Sequence, residues 1–161
     1  MLNDENISLN FEANHIALGC KAFHQLSKRE VESIMKIKSK IFSKDQSGNS
    51  NCENFVDHKS LHFLAHQNKY LVAYARLVSP SIEYQGLTLE RFCVEETRRG
   101  QGISRFLMEF ILNKSLKIHP NERINLSCLK NIKPFYEKFG FNTYNSDIED
   151  DGLEHFYMTR D

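Results

Sequence analysis

Residues 94–110 read VEETRRGQGISRFLMEF. Gly100 and Gly102 sit among Arg98, Arg99 and Arg105, and just beyond them Ile103, Phe106, Leu107, Phe110 and Ile111 recur at helical spacing. That spacing predicts an amphipathic helix over 103–117. Ahead of the turn, GLTLERFCV (86–94) has the branched and aromatic content of a strand. Strand, bare cationic turn and helix together outline an anion site. A helix N-terminus offers unpaired N–H groups and roughly half a positive charge. Glycine lets the backbone approach a ligand with no Cβ in the way, and the arginines add charge-assisted hydrogen bonds. This order suits the grip of a phosphate; the plainer alternative is a turn ahead of a core helix.

Outward from the turn, strand signals dominate. IALGCKAFHQL (16–26) reads as a strand, and a helix follows with Ser27 as N-cap and Glu30 closing a capping box. Val31, Ile34, Met35 and Ile37 share one face of that helix. SKDQSGNSNCENFVDHKS (43–60) has turn and loop composition. LHFLAH (61–66) and YLVAYARLV (70–78) read as strands around QNK, a three-residue hairpin loop. INLSCL (124–129) reads as a buried strand, and NIKPFYEKF (131–139) as a short helix capped by Asn131. FNTYN and LEHFYMT form a closing hairpin around an acidic loop. The polar residues 1–15 are an arm or an extra edge strand, and 16–161 form one domain. Strands with helices crossing between some of them predict an α/β or α+β sheet of mixed direction.

Composition narrows the function classes. The 21 basic and 21 acidic side chains cancel, so no global field attracts nucleic acid or a membrane, and anion binding must be local. MLNDENISLN has no basic segment followed by an apolar run, and no stretch approaches the roughly 20 apolar residues of a membrane span. Cys20, Cys52, Cys93 and Cys128 are scattered without a C-x-x-C pair. These features predict a soluble chain of a reducing compartment, the cytoplasm.

Three phosphate loops can be laid on residues 98–105. No Walker A string G-x-x-x-x-G-K-S/T exists, and a dinucleotide fingerprint fails because Arg105 stands at its third glycine. The third loop, Q/R-x-x-G-x-G/A, matches Arg99 to Ser104 except that Ser104 replaces the last small residue. Further on, FYEKFGF (135–141) carries an aromatic pair on a short helix ending in Gly140 and Phe141. In this order and separation the two motifs resemble the GNAT N-acetyltransferase superfamily, over roughly residues 18–160. KIKSKIFSKDQ (36–46), LVAYARL (71–77) and DDGLEHFYM (150–158) are similar to its ElaA-like subgroup, matching at Asp45-Gln46, Asp151-Gly152 and His155. Lys38 stands where that subgroup has an Arg, and the loop around Cys52 differs.

The resemblance implies an acyl-CoA N-acyltransferase fold: a twisted mixed sheet of about six or seven strands with helices on both faces. It implies acetyl transfer from acetyl-CoA to a primary amine by direct attack in a ternary complex, without a metal. A non-catalytic acyl-CoA-binding module is the alternative; a more remote one is a nucleotide binder. The strand before the loop splays from its neighbour in this family, which gives the backbone of Phe92, Cys93 and Val94 to the pantetheine arm and the oxyanion. The pyrophosphate falls to Arg98, Arg99, Gly100, Gln101, Gly102, Ile103 and Ser104, with Asn131 also near the cofactor. Tyr136 takes the place of the general acid; a phenol near pKa 10 stays protonated at neutral pH. Its bland counterpart is a tyrosine that packs with Phe135 and Phe139.

Glu90, two residues before Phe92 and on the same strand face, is the candidate base, or else a glutamate paired with Arg91 or another cation. His62 is the candidate acceptor-pocket histidine. His58, His62 and His66 recur every four residues, but the strand-like context argues against a shared metal. DIEDDG (147–152) imitates a calcium loop yet lacks its closing glutamate, and reads as a solvated hairpin loop. The acceptor is a small-molecule or peptide amine; nucleic acid and membrane are not expected partners, and a homodimer stays open.

Overall fold

The computed structural model of the protein describes residues 7–9, 15–42, 55–81 and 85–161. Eight strands form one sheet: β1 (Ile7–Leu9), β2 (Ile16–Ala22), β3 (Ser60–Gln67), β4 (Tyr70–Val78), β5 (Leu87–Val94), β6 (Ile124–Leu129), β7 (Asn142–Ile148) and β8 (Glu154–Arg160). Their order is β1-β2-β3-β4-β5-β6-β8-β7. Every pairing is antiparallel except β5 with β6, which the helix α3 (Ile103–Ile118) connects. The count exceeds the expected six or seven because residues 7–9 pair with β2 as an edge strand.

Helices cover both faces, as the expected fold requires. The helix α1 (Lys28–Phe42) begins at the capping box: the Ser27 N–H donates to Glu30 Oε2 at 2.8 Å, and the Glu30 N–H donates to Ser27 Oγ at 3.2 Å. Its buried Ile34 and Ile37 pack on Leu64, Tyr74 and Cys93. On the opposite face α3 buries Ile103, Leu107, Met108, Phe110 and Ile111 against Phe63, Ala65, Ala73 and Leu77. Each fully buried Leu or Ile there contributes about 1.5–3 kcal/mol. Phe63 and Phe110 meet edge-on at 5.8 Å.

Several boundaries differ from the sequence reading. The strand at 16–26 ends at Ala22, because the Gln25 side chain accepts the Ala22 N–H at 2.8 Å and folds 23–25 into a tight helical turn. Within the stretch read as loop, 43–54 lie outside the described residues, and Phe55–His58 form a short helix, α2. The β3–β4 loop has two residues rather than three: Gln67 pairs with Tyr70, and Asn68 and Lys69 turn the chain with φ of 50° and 68°.

The consequential difference is in β5. Tyr74 pairs with Cys93 but Arg76 pairs with Glu90, so three steps of β5 match two of β4. Arg91 takes up the surplus with φ 54°, a β-bulge. Strict alternation would put Glu90 and Phe92 on one face. Past the bulge, Phe92 and Val94 join the α3-side core with Leu89, while Cys93 packs beneath α1. Glu90 and Phe92 therefore point to opposite faces, which corrects the placement expected for Glu90.

Candidate active site

β5 and β6 are paired only at Leu87 with Ile124 and Thr88 with Asn125 among the described residues. Beyond those rungs the strands part, while β4 keeps hold of Val94 and β8 of Leu129 from the outer sides. The gap-side backbone groups of Phe92, Cys93 and Val94 thus face a cleft instead of a neighbouring strand. A sheet interior normally pairs such groups with a neighbouring strand; here the Val94 carbonyl is met by the Arg99 side chain instead.

At the far end of β5 the chain makes a single helical turn at Glu96–Arg98, an extended Arg99, and then Gly100 and Gly102, both at φ 77°. Such φ values are costly for residues with a Cβ, so the two glycines set the turn. A Cβ built on Gly100 would meet nothing within 4 Å, so its backbone faces open space that a ligand can enter. The first backbone bond of α3 runs from the Phe106 N–H to the Gly102 carbonyl at 3.2 Å. The N–H groups of Ile103, Ser104 and Arg105 are therefore left without intrahelical acceptors. The buried Ile103 side chain anchors this turn in the core. The Arg99 Nε donates to the Val94 carbonyl at 3.3 Å, tying the turn to the end of the cleft. Gln101 and Arg99 are exposed, and Arg98 and Ser104 half-buried. Arg105 does not join them: its guanidinium is paired with Glu109 one turn along the helix, at 2.8 Å.

The short helix α4 (Lys133–Glu137) supplies Tyr136, which is 7% exposed. Its ring is held between Phe92 at 6.2 Å, Phe135 at 5.2 Å and Phe141 at 5.9 Å. Gly140, at φ 82°, ends the helix: its N–H donates to Glu137 and the Phe141 N–H to Tyr136, the paired bonds of a Schellman cap. Phe141 therefore precedes β7 and packs into the core. Burial, with lesser pushes from Cys128 and Cys93, raises the Tyr136 phenol well above the usual tyrosine value. It stays a neutral donor. Burial also lifts the Cys93 thiol, to about 12, so Cys93 is no thiolate nucleophile. Asn131 is exposed and does not cap α4; the residue at the cap is Ile132, without a side-chain bond. The Leu129–Ile132 turn and the proline at the start of α4 set that boundary instead.

Residues 24–161 match the family model described as an acetyltransferase (GNAT) domain. The chain belongs to the GNAT acetyltransferase family. The ElaA protein of Escherichia coli is 27% identical to it over 143 residues, covering 85% of this chain and 91% of ElaA. A UPF0039 protein of Synechocystis sp. is 28% identical over 137 residues, 84% of this chain and 89% of its own length. The crystal structure of an acyl-CoA N-acyltransferase from Pseudomonas aeruginosa superposes with a TM-score of 0.81 at 23% identity, over 91% of this chain and 99% of that one. An aminoglycoside 6'-N-acetyltransferase solved with coenzyme A has the same fold, with a TM-score of 0.70 at 14% identity over 88% of this chain and 95% of its own.

This GNAT chain also carries a buried polar cluster on the α1 side of the sheet that the sequence did not announce. The Arg76 Nη1 donates to Asp57 Oδ1 at 2.7 Å, while its Nε and Nη2 both reach Glu90 Oε2. Lys38 stands 3.4 Å from Asp57 Oδ2. Burial is the main influence on Lys38 and holds its ammonium below the usual lysine range, against the pull of Asp57. Glu90 is thus clamped by Arg76, its cross-strand partner, rather than by Arg91. His62 is 1% exposed, with Nδ1 2.8 Å from the Tyr74 hydroxyl and Nε2 2.9 Å from the Asp57 carbonyl. Both ring nitrogens are engaged, so His62 braces the cluster instead of offering a nitrogen to an open pocket. Burial keeps its pKa low and the ring neutral. The signal in the sequence was the polar residue at alternate sites of otherwise apolar strands: His62 in β3, Arg76 in β4.

The three histidines do not converge. His62 and His66 are about 13 Å apart along a strand, and His58 lies on α2 with its ring 4.0 Å from that of Phe23. The subgroup features Asp45-Gln46 and Cys52 lie outside the described residues.

Proposed function

We propose that the chain transfers the acetyl group of acetyl-CoA to a primary amine by direct attack. The observation that carries this reading is the parted β5–β6 pair, with the glycine turn at one end and Tyr136 beside it. Unpaired strand groups suit the amide-bearing pantetheine arm. The N–H groups at the start of α3, with Arg98, Arg99 and the backbone of Gly100, Gln101 and Gly102, suit the pyrophosphate. A gap-side N–H of Phe92, Cys93 or Val94 would donate to the thioester oxygen as charge develops there. The neutral Tyr136 phenol would give its proton to the departing thiolate. With Cys93 held protonated, a direct transfer is favoured over an acyl-enzyme. Family membership supports acyl transfer; the acetyl donor, amine acceptor and residue roles are the proposal. No described helix is long and apolar enough to cross a membrane.

The test compares acetyl-CoA with acetyl-pantetheine by isothermal titration, then Tyr136→Phe by thiol release. The expected result is strong preference for acetyl-CoA and a loss of about 100-fold in kcat for the variant, with acetyl-CoA affinity nearly intact. Equal affinity for the two ligands would remove the pyrophosphate role of the turn. A full-rate Tyr136→Phe would remove the acid.

A further inference from the structure

Direct attack needs a neutral amine, and Glu90, bound by Arg76, is poorly free to take the proton. Another group of polar residues lies on the exposed face of β6, the strand that borders the cleft. Asn125 is the last β6 residue paired with β5, and Ser127, exposed, is the next to point to the same face. The Ser127 Oγ lies 3.3 Å from Nδ1 of His155 on β8, and the His155 Nε2 lies 2.9 Å from Asp151 Oδ2 in the β7–β8 turn. Asp151 is itself fixed, accepting the Leu153 N–H on its other oxygen at 2.9 Å. Glu149 stands 3.7 Å from His155 Nδ1 while accepting the Tyr157 hydroxyl at 3.0 Å, and Asp147 is the β7 partner of His155. The His155 side chain is 17% exposed, sheltered yet in touch with solvent.

We propose that Ser127, His155 and Asp151 form the relay that removes the proton from the acceptor amine; this rests on the acetyl-transfer reading. An ionised carboxylate only accepts, so Asp151 takes the N–H of Nε2 and leaves the ring lone pair on Nδ1, aimed at Ser127. The Ser127 hydroxyl donates to that lone pair and presents its own oxygen lone pairs to the cleft. When an ammonium in the cleft gives its proton to Ser127 Oγ, the hydroxyl proton moves to Nδ1. The electron pair of the broken N–H bond stays on the amine nitrogen, ready to attack. The resulting imidazolium sits between Asp151 and Glu149 and returns its proton to water at its exposed edge. Cys128, the next residue of β6, points to the other face, into the core that holds Tyr136. Proton acceptor and proton donor thus address the cleft from opposite sides.

Thiol release from acetyl-CoA with 1,4-diaminobutane as probe tests the relay in the full chain. His155→Gln should lower kcat about 100-fold and Ser127→Ala about tenfold, with the KM for acetyl-CoA unchanged. The pH dependence of the rate should change in His155→Gln and be kept in Tyr136→Phe. Nitrogen NMR of labelled histidine supplies a readout that needs no turnover. The neutral His155 ring should carry its proton on Nε2, and Asp151→Ala should lose that preference. A proton on Nδ1, or an unchanged rate and pH profile in His155→Gln, would overturn the relay. If acetyl-CoA binds but the probe is not acetylated, the NMR result decides. If acetyl-CoA does not bind, the acetyl-transfer reading itself fails and the relay goes with it.

Discussion

Replacing Asp57 by Asn changes little in shape and removes the carboxylate that Arg76 and Lys38 share. Asp57 and Arg76 are each 3% exposed. Their contact is short and desolvated, and removing one partner of a buried pair costs about 3–5 kcal/mol; Arg76 keeps Glu90, but the like charges of Arg76 and the part-buried Lys38 lose the carboxylate that lies between them. At about 2–4 °C per kcal/mol for a chain of this size, Asp57→Asn should lower Tm by roughly 6–20 °C. Glu90→Gln is the internal control. The Glu90 side chain is 26% exposed, and its loss leaves the Arg76–Asp57 bond in place. That variant should cost about 1 kcal/mol or less, as solvent-screened pairs do. Urea unfolding measures both, with a shifted midpoint and an unchanged slope as the signature of a pure stability change. The reasoning fails if Asp57→Asn stays within 1 kcal/mol of wild type, or if Glu90→Gln costs as much as Asp57→Asn.

Gly100→Ala should cost about 1 kcal/mol of stability for its left-handed backbone, while weakening acetyl-CoA about tenfold by titration. Acetyl-pantetheine affinity should not change, and equal weakening of both would place the effect outside the turn. Ser27→Ala should cost about 1 kcal/mol by loss of the α1 cap, read by thermal melting. Burial acts to raise the Glu30 pKa, but hydrogen bonds from Ser27 and Lys21 outweigh it and hold the carboxyl below its usual value. Its contribution is therefore complete above the unfolded glutamate value, about 4.3, and is lost as pH falls through the lower folded value. Ser27→Ala should flatten that acid limb of the stability profile, and an unchanged limb would count against the cap.

Local chemistry was readable from the sequence, and pairing between distant segments was not. The Ser27 and Glu30 box, the bounds of β4 and β6, and the Gly140 cap each depend on neighbours within a few residues, so the chain spells them out. The glycine turn with FYEKFGF was enough to reach the family and its fold. The Arg91 bulge escaped because an arginine at positive φ has no composition signature; strict alternation then put Glu90 on the wrong face. Asn131 looked like a cap because its residue type fits, but the preceding turn moved the helix start past it. The Asp57, Arg76 and Glu90 cluster needs three segments brought together by sheet order, and Asp57 lay in a stretch that read as loop. His155 and Asp151 were visible as a pattern, whereas Ser127 became their partner only through the β6–β8 register.

The parted strands have a consequence for how the molecule holds together. Two rungs of ladder are all that β5 and β6 share among the described residues, so the sheet has a weak line through its middle. A ligand lying in that line would supply hydrogen bonds that a continuous sheet would have made for itself. Anything that binds only the folded form stabilises it by RT ln(1 + [L]/Kd). Occupancy would therefore act as a removable rib, and the rigidity of the whole sheet would rise and fall with the concentration of the molecule it grips.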